Sequence, residues 1–276
     1  MQSATQAPSS PQRPATEVSA FDLGLAGKVV LVTGGARGVG LGIVGVLAAL
    51  GAVPVACARR PAAISDAVPR AQFRTCDVRD EAAVTALIDH IVDEHGRLDG
   101  VVNNAGGAPF TPAADAPATL TAKIVGLNLL APLTVARAAY AVMSRQPGGG
   151  AIVNISSVSG HRPSPGTAAY GAAKAGLDNL TASLAVEWAP RVRLNSVVAG
   201  PVETELAHLH YGDDAGVAAV GATIPMGRMA RPADIGTAVA FLLSPLAAYI
   251  TGSTLTVHGG GERPAFLDAA TAGNNV

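Results

Sequence analysis

Lysine is scarce in this chain of 276 residues: Lys28, Lys123 and Lys174 are the only three. No run of Lys and Arg exceeds two, charged residues make up 14% and the net charge is −1, so there is no basic surface for nucleic acid. Only two cysteines occur, Cys57 and Cys76, both inside strand-like runs and neither at metal-ligand spacing. They read as free buried thiols of a reducing, cytoplasmic setting, and the scattered histidines add no metal site. Residues 1–23 lack the apolar core of a signal peptide and read as a mobile tail, or else as an arm that steadies an oligomer. A long uncharged stretch, 38–58, meets the length test for a membrane span, but Gly51 and Pro54 divide it into a helix and a strand. The expectation is a soluble protein with no membrane partner.

What is present is a regular alternation. Strand-like runs fall at 28–33, 53–58, 71–76, 100–103, 151–156, 193–198 and 254–257. Helical stretches lie between them, at 38–50, 80–95, 118–144, 168–189, 204–219 and 232–243. Such alternation predicts right-handed crossovers and an α/β fold: one doubly wound Rossmann-type domain over 24–262, a central parallel sheet flanked by helices, and a C-terminal extension over 263–276.

The first strand runs into Gly34, Gly35, Arg37, Gly38, Val39 and Gly40 and then into a helix. Gly34 permits a tight turn, Gly38 lets backbone approach a pyrophosphate, and Gly40 lets helix pack closely on strand. The helix N-terminus offers free N–H groups to phosphate, so the turn predicts dinucleotide binding. Roughly twenty residues on, an NAD site places a carboxylate on the ribose. Here Ala58 is followed by Arg59 and Arg60, which suit the 2′-phosphate of NADP unless they are a plain solvated pair. Asp77, beside Val78, is placed either to accept from an adenine amino group or to cap the next helix. Asn104, Ala105 and Gly106 close the fourth strand, where side-chain amides can tie loops together along a cofactor cleft.

Tyr170 precedes Lys174 by one helical turn, and Ser157 lies thirteen residues before the tyrosine. Tyr and Lys one turn apart are often only helix surface. As a site, the ammonium would lower the phenol pKa toward the range of a general acid/base, and Ser157 would hold a substrate oxygen beside it.

With these residues the chain resembles the short-chain dehydrogenase/reductase family, in its compact branch. The likeness runs through TGGARGVG (33–40), NNAG (103–106), Asn128 in GLNLLAP, NISSVSG (154–160), YGAAK (170–174), NSVVAGPVET (195–204) and YITGSTLTVHGG (249–260). It implies hydride transfer at a carbonyl carbon with Tyr170 moving the proton. It further implies Lys174 on the nicotinamide ribose, Asn128 holding a water on the path from that lysine, and Val202 with Thr204 fixing the carboxamide. The expected activity is NADP(H)-dependent reduction of a 3-oxoacyl thioester or related apolar ketone. The alternatives are an NAD-dependent alcohol or hydroxysteroid dehydrogenase, and a non-catalytic NADP-sensing protein. The resemblance also implies a homotetramer. Ala199 in place of the family's proline, and His258 in place of a common aspartate, depart from the pattern.

Overall fold

Val29–Thr33 is buried at every position, as a strand covered on both faces must be, and all its residues but Leu31 are β-branched. This is β1 of the computed structural model, which describes residues 22–64 and 66–270. Residues 1–21 of the expected tail and 271–276 of the expected extension lie outside the described residues. Six further strands join β1: β2 (Val53–Ala58), β3 (Gln72–Thr75), β4 (Gly100–Asn103), β5 (Gly150–Ser157), β6 (Val192–Ala199) and β7 (Thr254–Val257). They form one seven-stranded sheet, parallel throughout, in the order β3-β2-β1-β4-β5-β6-β7.

Side chains alternate across the sheet and so feed two cores. Val29, Leu31, Val55, Val101 and Ile152 point to one layer, with buried residues of α2 (Glu81–His95), α4 (Ala131–Met143) and α5 (Ala168–Trp188). Val30, Val32, Ala56, Val102 and Val153 point to the other, with α1 (Gly38–Ala49) and α8 (Pro232–Leu243). The suspected span at 38–58 is thus α1 followed by a buried strand. The stretch Ala118–Met143 is also long and apolar enough to cross a membrane; here its α4 half sends Val135, Ala136, Ala139 and Met143 into the first core.

Three elements differ from the expectation. The stretch 118–144 is not a plain α-helix: α3 (Ala118–Val125) and α4 are joined by a π-helical turn, Gly126–Leu130. The helix expected over 204–219 is two pieces, α6 (His208–Tyr211) and α7 (Asp214–Ala222). Gly212 between them has φ of 84°, a left-handed conformation that ends α6, and Asp213 then caps α7 through the Gly216 N–H at 3.0 Å. Asp80, rather than Asp77, caps α2, accepting from Ala82 and Ala83 N–H. A short helix, α9 (Ala265–Ala269), follows the last strand.

A buried polar line crosses these layers. Asn103 Nδ2 donates to Asn154 Oδ1 at 2.9 Å and to the Pro132 carbonyl at 3.1 Å. Asn154 Nδ2 donates to Thr181 Oγ1 at 2.8 Å, and that hydroxyl lies 3.0 Å from Ser196 Oγ. It stitches β4, β5, α5 and β6 together, so polar groups that would be costly to bury unpaired are satisfied.

Candidate active site

From β1 the chain winds outward through β2 and β3, then returns to build β4 to β7 on the other side. Connections therefore leave β1 and β4 in opposite directions and open a crevice at their carboxyl ends, where doubly wound sheets bind ligands. The glycine turn lies on one wall. A Cβ on Gly40 would sit 2.2 Å from the Gly34 carbonyl oxygen, so only glycine lets α1 descend this far onto the end of β1. Arg37, the N-cap of α1, gives no side-chain cap. The Gly38 N–H instead donates to Glu205 Oε1 at 3.0 Å. A carboxylate thus occupies the anion position at this helix N-terminus, which fits a site made for a pyrophosphate. Val39 packs behind the turn.

The opposite wall is NNAG. The Thr33 hydroxyl accepts from the Asn104 and Ala105 N–H groups, each at 3.0 Å, and donates to the Val102 carbonyl. Asn104 Nδ2 returns the tie to the Thr33 carbonyl at 2.9 Å. The expected loop-tying role therefore falls on Asn104, and Thr33 is its partner, a residue whose part the motif alone did not disclose. Val202 pairs with Ala230 in an isolated bridge, and Thr204 carries its methyl to 3.5 Å from where a Gly38 Cβ would lie. Thr204 therefore lies beside the glycine turn, and Val202 two residues before it is held by its bridge to Ala230.

At the end of β2, Arg59 and Arg60 are exposed and make no hydrogen bond or ion pair among the described residues. Asp77 is held by Arg79, Nη2 to Oδ2 at 2.6 Å and Nε to Oδ1 at 3.0 Å, and that pairing keeps its carboxyl at about 2. Arg59 lowers it further. Its carboxylate is therefore engaged by arginine, while Val78 beside it is buried in the first core.

The other constellation forms where β5 meets α5. Ser157 ends β5, Tyr170 is half-buried in the first turn of α5, and Lys174 follows on the same face with its Nζ 5.6 Å from the Tyr170 ring centre. Lys174 is buried and donates to the Ile155 carbonyl at 2.7 Å, leaving two more N–H donors. Burial weakens its base to about 8. The expectation that Lys174 lowers the phenol pKa is corrected in part: burial raises Tyr170, and the group pulling it back down is the Ser157 hydroxyl. Asn128 sits in the π turn, where backbone donors shift from i−4 to i−5 acceptors. Its amide donates to the Ile124 and Gly107 carbonyls, each at 2.9 Å, and its Oδ1 accepts from Gly107 N–H at 2.8 Å. Gly106 passes between them: a Cβ there would lie 2.7 Å from Asn128 Oδ1 and 3.4 Å from Lys174 Nζ. All four residues expected at the chemistry thus gather at one end of the sheet. Among the described residues no cluster of His, Cys, Asp or Glu could hold a metal.

A parallel sheet with this crevice and a glycine turn at its switch point defines a dinucleotide-binding α/β protein. A family model described as enoyl-(acyl carrier protein) reductase matches residues 34–262. The chain belongs to the short-chain dehydrogenase/reductase family; it is an oxidoreductase, and membership implies NAD(P) binding. It is 38% identical over 245 residues to cis-4-hydroxycyclohexanecarboxylate dehydrogenase of Sinomonas cyclohexanicum, covering 84% of this chain and 96% of that one. It is 37% identical over 243 residues to a 3-oxoacyl-[acyl-carrier-protein] reductase of Vibrio cholerae, covering 86% and 98%. An uncharacterized short-chain type dehydrogenase/reductase of Sinorhizobium fredii is 38% identical over 85% of this chain, which spans 43% of that longer protein. Ligand-free aldohexose dehydrogenase of Thermoplasma acidophilum shares the fold with a TM-score of 0.80 at 30% identity, over 91% of this chain and 98% of that one.

Proposed function

We propose that this protein interconverts a ketone and a secondary alcohol with NADP(H), acting on a 3-oxoacyl thioester or a related apolar ketone. The observation that carries the reading is the meeting of Ser157, Tyr170, Lys174 and Asn128 beside the crevice. With a nicotinamide cofactor held in the crevice, the hydride would pass to the carbonyl carbon in reduction or leave the carbinol carbon in oxidation. The chain's own residues handle the oxygen and its proton. In reduction Tyr170 donates its phenolic proton to the substrate oxygen, which Ser157 holds by hydrogen bond. The burial that raises the phenol keeps it protonated and ready to donate. Lys174, placed beside the ring, stabilises the phenolate left behind. Asn128, fixed by three hydrogen bonds, holds the water on the path from Lys174 to solvent.

NADP is favoured because the exposed Arg59 and Arg60 follow β2, which ends in Ala58 rather than a carboxylate, and because the nearby Asp77 carboxylate is held by Arg79. An acyl group free of its carrier protein is favoured because Arg191 spends its guanidinium on the Ser144 and Gln146 carbonyls rather than presenting it to an acidic carrier. A homotetramer of single-domain subunits fits the exposure of Leu130 (54%) and Val186 (83%) on the helical face. Free, buried Cys57 and Cys76 suit a reducing cytoplasm.

The test is NADPH oxidation with a short 3-oxoacyl-coenzyme A, repeated with NADH and with Tyr170→Phe. The expected result is turnover with NADPH that falls by at least about 100-fold in the variant. Faster turnover with NADH overturns the cofactor assignment and favours the alcohol dehydrogenase reading, which the resemblance to cis-4-hydroxycyclohexanecarboxylate dehydrogenase supports.

A further inference from the structure

Lys174 and Asp178 lie one turn apart on the same face of α5. They grip successive residues of β5. Lys174 Nζ donates to the Ile155 carbonyl at 2.7 Å, and Asp178 Oδ2 accepts from the Ser156 hydroxyl at 2.7 Å. Ser157 comes next. Asp178 Oδ2 also lies 2.9 Å from Nε2 of His161, an exposed residue after the short turn that follows β5. The Asp178 carboxylate therefore ties the Ser157 end of the strand, and the turn beyond it, to the helix that carries Tyr170. Its second oxygen, Oδ1, is sealed from solvent with no hydrogen-bond partner. A carboxylate oxygen left in that state is costly unless a nearby cation offsets it, and the cation on its own helix face is Lys174.

We propose that Asp178 is a positioning residue of the reaction: it sets Ser157 against Tyr170 and holds the buried Lys174 as an ammonium. This rests on the roles proposed above for Tyr170 and Lys174. The electrostatics run the same way, since burial weakens Lys174 and Asp178 is the group that opposes it. Lys174 is faced by Tyr170 and Asp178 on α5 and by the neutral Asn128 region across Gly106. Asp178 is faced by Ser156 on β5, by His161 and by Lys174.

With only three lysines, the full chain carrying 13Cε-lysine gives a spectrum simple enough to titrate by NMR, Lys174 being assigned by its loss in Lys174→Arg. In Asp178→Asn, which keeps the side-chain shape and an acceptor for Ser156, the Lys174 midpoint is expected about one pH unit lower. The alkaline limb of kcat should move down with it while KM holds. Asp178→Glu, which restores the charge, should return the midpoint toward that of the parent; a purely structural role would show no such rescue. An unchanged midpoint in Asp178→Asn overturns the proposal. The titration needs no substrate, so it separates this proposal from the reaction itself: full activity in Tyr170→Phe would remove the proposed function and leave the Lys174 titration to be judged by itself.

Discussion

Lys174 carries opposite demands, because a cation useful beside a phenol is one the interior resists. An unfolded lysine titrates near about 10.4, whereas in the fold this one titrates at about 8. Between those values the unfolded chain binds more protons, so this group makes stability rise with pH through that window; below it the burial cost is constant. The difference corresponds to about 3 kcal/mol. Lys174→Met removes that cost but leaves the Ile155 carbonyl unpaired, at about 1–3 kcal/mol. The variant is therefore expected to be inactive yet at least as stable as the parent at pH 7, and to lose about 3 kcal/mol relative to it by pH 10.5. Urea unfolding at the two pH values checks this, and a difference independent of pH would count against it. Glu205 makes a second case at this scale, since its carboxylate rests at the N-terminus of α1, where the proposed cofactor would place its pyrophosphate. Glu205→Gln should tighten NADPH binding by about 2- to 5-fold at low salt, read by nucleotide fluorescence. An unchanged Kd would mean that Glu205 yields the place at no cost.

Among the elements, the π turn at Gly126–Leu130 was the least visible beforehand. An apolar period carries through 118–144, and one inserted residue in a helix leaves no sign in that pattern. Asn128 was the sole clue, and as a polar residue in an apolar helix it would have passed unnoticed without the family likeness. Strand positions were legible because burial on both faces forces continuous apolar runs, and the glycine turn because close approach admits no side chain. Asp178, by contrast, looks like any acid on an amphipathic helix. Only the meeting of β5 with α5, a contact remote in sequence, brings Ser156 and His161 to it. The 204–219 stretch reads in sequence as one helix because its alanines and leucines are helix formers, whereas Gly212 and Asp213 end one piece and start another. Asn128→Leu should cost about 2–4 kcal/mol in urea unfolding, since it strands the buried Ile124 and Gly107 groups that the amide satisfies. A loss under about 0.5 kcal/mol would show that the turn stands without it.

At the scale of the molecule, the crevice between β1 and β4 makes cofactor choice readable as stability, because a ligand that binds only the folded state raises it by mass action. NADPH should raise the melting temperature more than NADH at equal concentration. The double change Arg59→Ala and Arg60→Ala should bring the two shifts together; shifts that remain apart would place the discrimination elsewhere. The line from Asn103 to Ser196 also has a direction. Thr181 has one proton, and it goes to the Leu177 carbonyl at 2.8 Å, so Ser196 must give its own proton to Thr181. Both Asn103 amide protons are likewise committed. No member can change its hydrogen-bonding character without leaving a neighbour two donors or none. At these four positions, scattered over nearly a hundred residues, a change that alters donor or acceptor character therefore needs a matching change at the neighbour, whereas Ser and Thr can replace one another at Thr181 or Ser196 because the hydroxyl is kept.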